Sequence, residues 1–175
     1  MKKLLVAIAL LAVPMTTKAQ TMTEPAAIQR LLKLEDRADL KELVDTFSNL
    51  ADTKEIEKQV LLFTEDATVE AFSGEKQTSS LKGRKAIGDA FAAYLANFET
   101  VYHINGQQTV SIEGDGASGT AYSLVVLIRH EGGKTVRLTS GVTYKDEYVR
   151  QDGKWLISRR TSNFTWSTTD ESVQP

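Results

Sequence analysis

The strongest constraint on this chain is a change of hydrophobic period near Val101. Before it, apolar residues recur at three- and four-residue steps; after it, they alternate. Glu24-Pro25 opens a helical pattern, with proline suited to a first turn. Ile28, Leu31, Leu32, Leu40, Leu43, Val44, Phe47 and Leu50 form its stripe. A second short helix carries Ile56, Val60 and Phe63. Thr64-Glu65-Asp66 ends it, Thr68 to Phe72 reads as a strand, and Ser73 to Ser80 as a polar loop. Gly83 leads into a third helix bearing Ile87, Phe91, Tyr94, Leu95 and Phe98.

Four β-rich runs follow, at about Val101–Ile112, Ala117–His130, Lys134–Arg150 and Lys154–Trp166. Gly114-Asp115-Gly116, Glu131-Gly132-Gly133 and Gln151-Asp152-Gly153 separate them as hairpin turns. Helices first and hairpins last predict an α+β domain: three N-terminal helices on one face of a strongly curved, mostly antiparallel sheet. Thr168 to Pro175 reads as a polar tail. At 175 residues and 41% hydrophobic, the chain has the size and composition of one domain with a real core.

The first stretch is read differently. Lys2 and Lys3, an apolar run from Leu4 to Val13, and Thr17-Lys18-Ala19 make a charged start, a short hydrophobic region and a small-x-small cleavage site. The run is too short for a permanent bilayer span. Residues 1–19 are thus expected to be a signal peptide, 20–167 the domain and 168–175 the tail, with a periplasmic or secreted product and no permanent membrane anchor. Removing the leader's three lysines takes the formal net charge from −2 to −5. With no Lys/Arg cluster, a nucleic-acid partner is not expected. The absence of cysteine removes disulfides, thiolate nucleophiles and cysteine metal sites. Two histidines make a multi-histidine centre improbable, so neither metal nor cofactor is expected.

Gly114 to Gly119 matches G-x-G-x-x-G, but a dinucleotide site needs a helix there and Thr120 to Ile128 reads as a strand. The run is a turn. The candidate acid–base pair is His103 and Asp52. His103 starts the first long strand and shares a face with Asn105; its imidazole titrates near neutrality. Against that stands the commoner reading of a structural histidine. Asp52 closes the long helix and pairs with Glu55 in a capping-box-like spacing for the next one. Its functional reading orients the imidazole, within about 3 Å of a ring nitrogen. Strand alternation sets Ser123, Val125, Leu127 and Arg129 on one face and Val142 with Tyr144 on another, both expected to face inward with His103. The inward face of the last strand, among Arg159, Arg160 and Asn163, is open.

In order along the chain stand Asp52, Leu62-Phe63-Thr64-Glu65-Asp66-Ala67, Gly83-Arg84-Lys85-Ala86-Ile87, His103, Ile112-Glu113-Gly114-Asp115 and Asp152-Gly153-Lys154-Trp155. This set resembles the SnoaL-like branch of the NTF2-like superfamily, from about Ile28 to Trp166. The resemblance implies a cone-shaped barrel, a homodimer and a pocket for a small apolar or aromatic molecule. Within it, the scytalone dehydratase pattern places its paired carboxylate and imidazole at Asp52 and His103. It departs at Ala51 and Phe72, where that pattern has tyrosines, at Arg129 or His130, where it has a second histidine, and at Tyr144, where it has a small amide. Two functions follow. One is a cofactor-independent lyase or isomerase using His103 and Asp52, with Tyr144, Arg129, Ser123 and Phe72 against the substrate. The other is a non-catalytic ligand-binding module or dimeric scaffold of the same fold. N-terminal sequencing of protein recovered from the periplasm or medium should begin at or near Gln20. An intact Met1 on soluble cytosolic protein would contradict export.

Overall fold

The computed structural model describes residues 23–173; the expected signal peptide, residues 1–19, lies outside them. Helix α1 (Glu24–Asp52) is followed by α2 (Ile56–Gln59) and a 3-10 turn, Val60–Leu62. Strands β1 (Phe63–Ser73) and β2 (Lys76–Lys82) come next, then α3 (Arg84–Leu95). Four long strands complete the chain: β3 (Thr100–Glu113), β4 (Gly116–Glu131), β5 (Lys134–Gln151) and β6 (Lys154–Val173). They form one six-stranded sheet in the order β2-β1-β6-β5-β4-β3. All neighbours are antiparallel except β1 and β6, which run parallel.

Four expectations need correction. Phe63, placed on the second helix, and Thr64 to Asp66, read as its end, belong to β1. Ser73 to Ser80 is not a loop: it turns at Gly74, φ 59°, into β2, which pairs back onto β1. The helices are not all N-terminal to the sheet, because α3 follows this hairpin. The polar segment after Ser167 is no free tail either, since β6 continues to Val173 against Lys134–Thr139. Lys134 to Glu171 at 3.0 Å and Arg137 to Asp170 at 2.9 Å line that pairing.

The core lies between the helices and the inner face of the sheet. Leu40, Val44 and Phe47 of α1 and Ile87 of α3 meet Val69, Val125, Val142 and Ile157 there. Phe47 is a hub, edge-on to Phe63, Phe91 and Tyr144 at centroid distances of 5.9, 6.0 and 6.2 Å. Along the first turns of α1, Ile28, Leu31, Leu32 and Leu34 are exposed among the described residues. Asp36 anchors the helix where packing starts. It accepts from Arg150 Nη2 at 2.5 Å and from Trp155 Nε1 at 3.2 Å, while Arg150 stacks on that indole.

A polar seam then docks α1 along β3. Residues four apart on one helix face meet the inward side chains of the strand. Gln108 Nε2 donates to the Leu40 carbonyl at 3.2 Å. Asn105 Nδ2 donates to the Val44 carbonyl at 3.2 Å and to Asp45 at 3.0 Å, and its own oxygen accepts from Ser48 at 3.1 Å. Asp52 meets His103 at the end of the row. A bulge between Asn105 and Gln108 shifts the alternation, which lets Gln108 face inward as well. Asn105→Ala removes the partner of the Ser48 hydroxyl and a donor to Asp45, and should cost about 1–3 kcal/mol in urea unfolding. An unchanged midpoint and slope would show that the seam does not hold the helix.

Candidate active site

His103 sits where the seam opens into a cavity of about 360 Å³. Phe47 and Ala51 of α1, Phe91, Tyr94 and Leu95 of α3, and Val125, Leu127, Leu138 and Phe164 of the sheet give it apolar walls. The polar points are few: His103, Tyr144, Arg160, Gln59, four serines and Thr78. That mixture is usual for a small-molecule site.

The Asp52 carboxylate clamps His103 with both oxygens. Oδ1 lies 2.6 Å from Nδ1 and Oδ2 accepts from the His103 backbone N–H at 3.2 Å. Because a carboxylate only accepts, Nδ1 carries the proton in this contact. The nitrogen left for a molecule in the cavity is Nε2. The imidazole is 7% exposed and the carboxylate 23%. Asp52 is not a cap, contrary to the capping-box spacing: α2 begins after Glu55 with no side-chain cap, and Asp52 ends α1. Its carboxylate is taken by the strand instead.

Of the other expected residues, Tyr144 lines the cavity and is buried. Burial pushes its hydroxyl pKa up to about 12; Arg160 opposes the rise, and the Asp146 and Asp52 charges add to it. The hydroxyl therefore stays protonated and can donate. Ser123 is buried behind it on the same face, outside the cavity lining. Arg129 does not belong to the cavity. The alternation of β4 holds, but Arg129 lies past the cavity's end, where it pairs with Glu131 at 3.1 Å and remains 43% exposed. Phe72 is half-buried and also absent from the lining. Its neighbour Ser73 faces the cavity, and a bulge between Ala71 and Phe72 breaks the alternation there. His130 pairs with Glu99 at 2.8 Å in the same outer region as Arg129.

The residues that sequence reasoning missed are Asp146 and Gln59, and the open choice on the last strand falls to Arg160, which lines the cavity. Asp146 follows Val142 and Tyr144 on the inward side of β5, directly opposite Arg160 on β6. Arg160 Nε and Nη2 donate to the two Asp146 oxygens at 2.8 and 2.7 Å, and Tyr148 donates to Asp146 at 2.9 Å. Burial works against the guanidinium charge, but the facing carboxylate more than offsets it and holds the pKa above its ordinary value. The guanidinium carbon lies 4.1 and 4.4 Å from the ring centres of Phe47 and Tyr144, which meet edge-on beside it. A charged residue at an inward position of β5 was the available signal. The choice of Arg160 to answer it stayed open, because two bulges separate β5 from β6 in register.

The family model of the SnoaL-like domain matches residues 32–161. Among solved structures, the chain is similar to an NTF2-like protein with a cystatin-like fold from Novosphingobium aromaticivorans. Identity is 26% over 82% of this chain and 91% of that one, with a TM-score of 0.65. A protein from the same organism, provisionally assigned as a scytalone dehydratase, is 20% identical over 81% and 91%, with a TM-score of 0.67. A hexachlorocyclohexane dehydrochlorinase is 17% identical over 83% and 96%, with a TM-score of 0.68. The last two likenesses concern the fold alone. A family match that spans α1 to β6, on three helices and a single six-stranded sheet, places this chain in the SnoaL-like family of the NTF2-like superfamily.

Proposed function

We propose that this protein is an exported, cofactor-independent lyase or isomerase that moves a proton at carbon in a small, largely apolar molecule. His103 is the acid–base group and Asp52 orients it. The observation that carries the reading is the 2.6 Å contact between Asp52 and Nδ1, on an imidazole that also lines the apolar cavity. A base oriented by a carboxylate, with its second nitrogen left for a molecule in a largely apolar cavity, suits carbon proton transfer. Tyr144 is the nearby donor for a substrate oxygen. Two proteins of this fold are named for eliminations, which supports the same reaction class without assigning a substrate.

The long strands wrap as a cone in this reading, and a second copy packs on the outer face of the sheet. Tyr102, Ile104, Tyr122 and Trp166 are about half exposed there. The Trp166 indole lies over Gly141 so closely that a Cβ would fall 2.2 Å from Nε1. A monomer at micromolar concentration in sedimentation would contradict this arrangement.

The chemistry is tested without knowing the natural substrate. 2-Tetralone is a bicyclic ketone with acidic C–H bonds, and its hydrogen–deuterium exchange in D₂O is followed by NMR. The wild-type protein should accelerate exchange, and His103→Gln should remove about 10²–10⁴-fold of that rate. Asp52→Asn should lose part of it while the fold is kept. Exchange by His103→Gln at the wild-type rate, or no acceleration by any form, would contradict catalysis. The ligand-binding reading would then remain.

A further inference from the structure

Of the four asparagines in the chain, only Asn105 is followed by glycine. An asparagine before glycine is the arrangement most open to attack by the next backbone nitrogen on its side-chain amide, because glycine has no Cβ to shield that nitrogen. Gly106 has no structural need to be glycine. Its φ is outside the left-handed region, and a Cβ there would come no closer than 3.7 Å, at the Tyr122 carbonyl oxygen. Gly106 and Gln107 are exposed on the outermost strand of the sheet, at the bulge between Asn105 and Gln108. The Asn105 amide, by contrast, is held at both of its polar atoms. Nδ2 donates to the Val44 carbonyl at 3.2 Å and to Asp45 at 3.0 Å, and Oδ1 accepts from Ser48 at 3.1 Å. The extended strand conformation also keeps Cγ away from the Gly106 nitrogen. Ring closure therefore waits on local opening of the seam between α1 and β3.

We propose that Asn105–Gly106 is a deamidation site caged by the docking of α1, and that its product cannot dock the helix again. The step needs only water and is independent of what the cavity binds. The Gly106 backbone nitrogen gives up its proton and bonds to Cγ of Asn105. The bond from Cγ to Nδ2 breaks, and that nitrogen leaves as ammonia with the proton. Water then opens the cyclic imide. Cleavage at the side-chain carbonyl leaves an aspartate at position 105; cleavage at the main-chain carbonyl leaves an isoaspartyl linkage, with an added methylene in the backbone. In the first product both donor contacts to α1 are gone, since a carboxylate only accepts. Its charge would face the Val44 carbonyl and the Asp45 carboxylate where the amide nitrogen now stands, and Lys41 is already paired with Asp45. In the second, the longer backbone displaces Gln108 from its place beneath the Leu40 carbonyl. Either product breaks the row that fixes α1 beside His103.

The test follows the purified folded protein in mildly alkaline buffer by peptide mapping in the mass spectrometer, which reads amide-to-acid conversion at each asparagine. The same protein unfolded in guanidinium chloride is the uncaged reference. Asn105 should convert faster than Asn49, Asn97 and Asn163, yet at least about tenfold more slowly than in the unfolded chain. Ser48→Ala removes one bond of the cage without touching the reacting residues, and should speed conversion about two- to tenfold, the worth of a hydrogen bond. Gly106→Ala, for which the bulge has room, should slow conversion in the folded and the unfolded chain alike. The product is tested directly by Asn105→Asp, which should unfold at lower urea than Asn105→Ala, because it adds a charge to the lost contacts. Folded and unfolded wild type converting at one rate, or Ser48→Ala converting no faster than wild type, would overturn the cage. No conversion at Asn105 in any folded form would overturn the site. An Asn105→Asp variant at least as stable as Asn105→Ala would show that an acid at this position does not repel the helix, and would overturn the block to docking.

Discussion

The docking of α1 on β3 is the constraint on which the site depends. An inward-facing row of polar side chains on a strand is costly beneath a helix unless each finds a partner. Gln108, Asn105 and His103 find theirs on one face of α1, at Leu40, Val44 with Ser48, and Asp52. The helix is thereby fixed in rotation and in translation, since a one-residue slip would break every contact in the row. The same docking carries Phe47 and Ala51 over the sheet as one wall of the cavity. The imidazole at the end of the seam is positioned by the interactions that hold the helix down.

A second polar element answers from the far side of the cavity. Asp146 and Arg160 are cross-strand neighbours on β5 and β6, buried together with the Tyr148 hydroxyl. A buried pair of this kind gives little net stability against an apolar replacement, but it gives geometry. Its carboxylate holds the guanidinium edge, and the Phe47 and Tyr144 rings pack beside it. The cavity is thus lined by the His103 imidazole, fixed by α1, and by Tyr144 of β5. Between them the walls are aromatic and aliphatic, where a polar contact is worth more than in water.

Much of this architecture was legible in the sequence. The change of period and the three glycine-bearing turns located β3 to β6 within a few residues, apart from the end of β6. What escaped has local causes. Strand β2 is polar along Lys76 to Ser80, so alternation gave no signal, and only its pairing with β1 makes it a strand. Asp52 had two competing uses at the sequence level, a local cap and a distant imidazole, and local spacing cannot weigh a partner 51 residues away. Arg129 was placed on the right face at the wrong depth, because alternation gives direction but not where a cavity ends. Gln108 was hidden, and the choice among Arg159, Arg160 and Asn163 left open, by bulges that reverse the alternation.

The central claim is that the Asp52 carboxylate holds the proton of His103 on Nδ1 and leaves Nε2 as the base. The direct measurement is the tautomer of the neutral imidazole, read from the two ring-nitrogen chemical shifts and their long-range couplings in ¹⁵N-labelled protein at alkaline pH. His103 should show a protonated Nδ1 and a bare Nε2, and Asp52→Asn should disturb that assignment while the resonances of the β5 and β6 core stay in place. A proton on Nε2 in the wild-type protein would contradict the account, because the nitrogen facing the cavity could then not accept one.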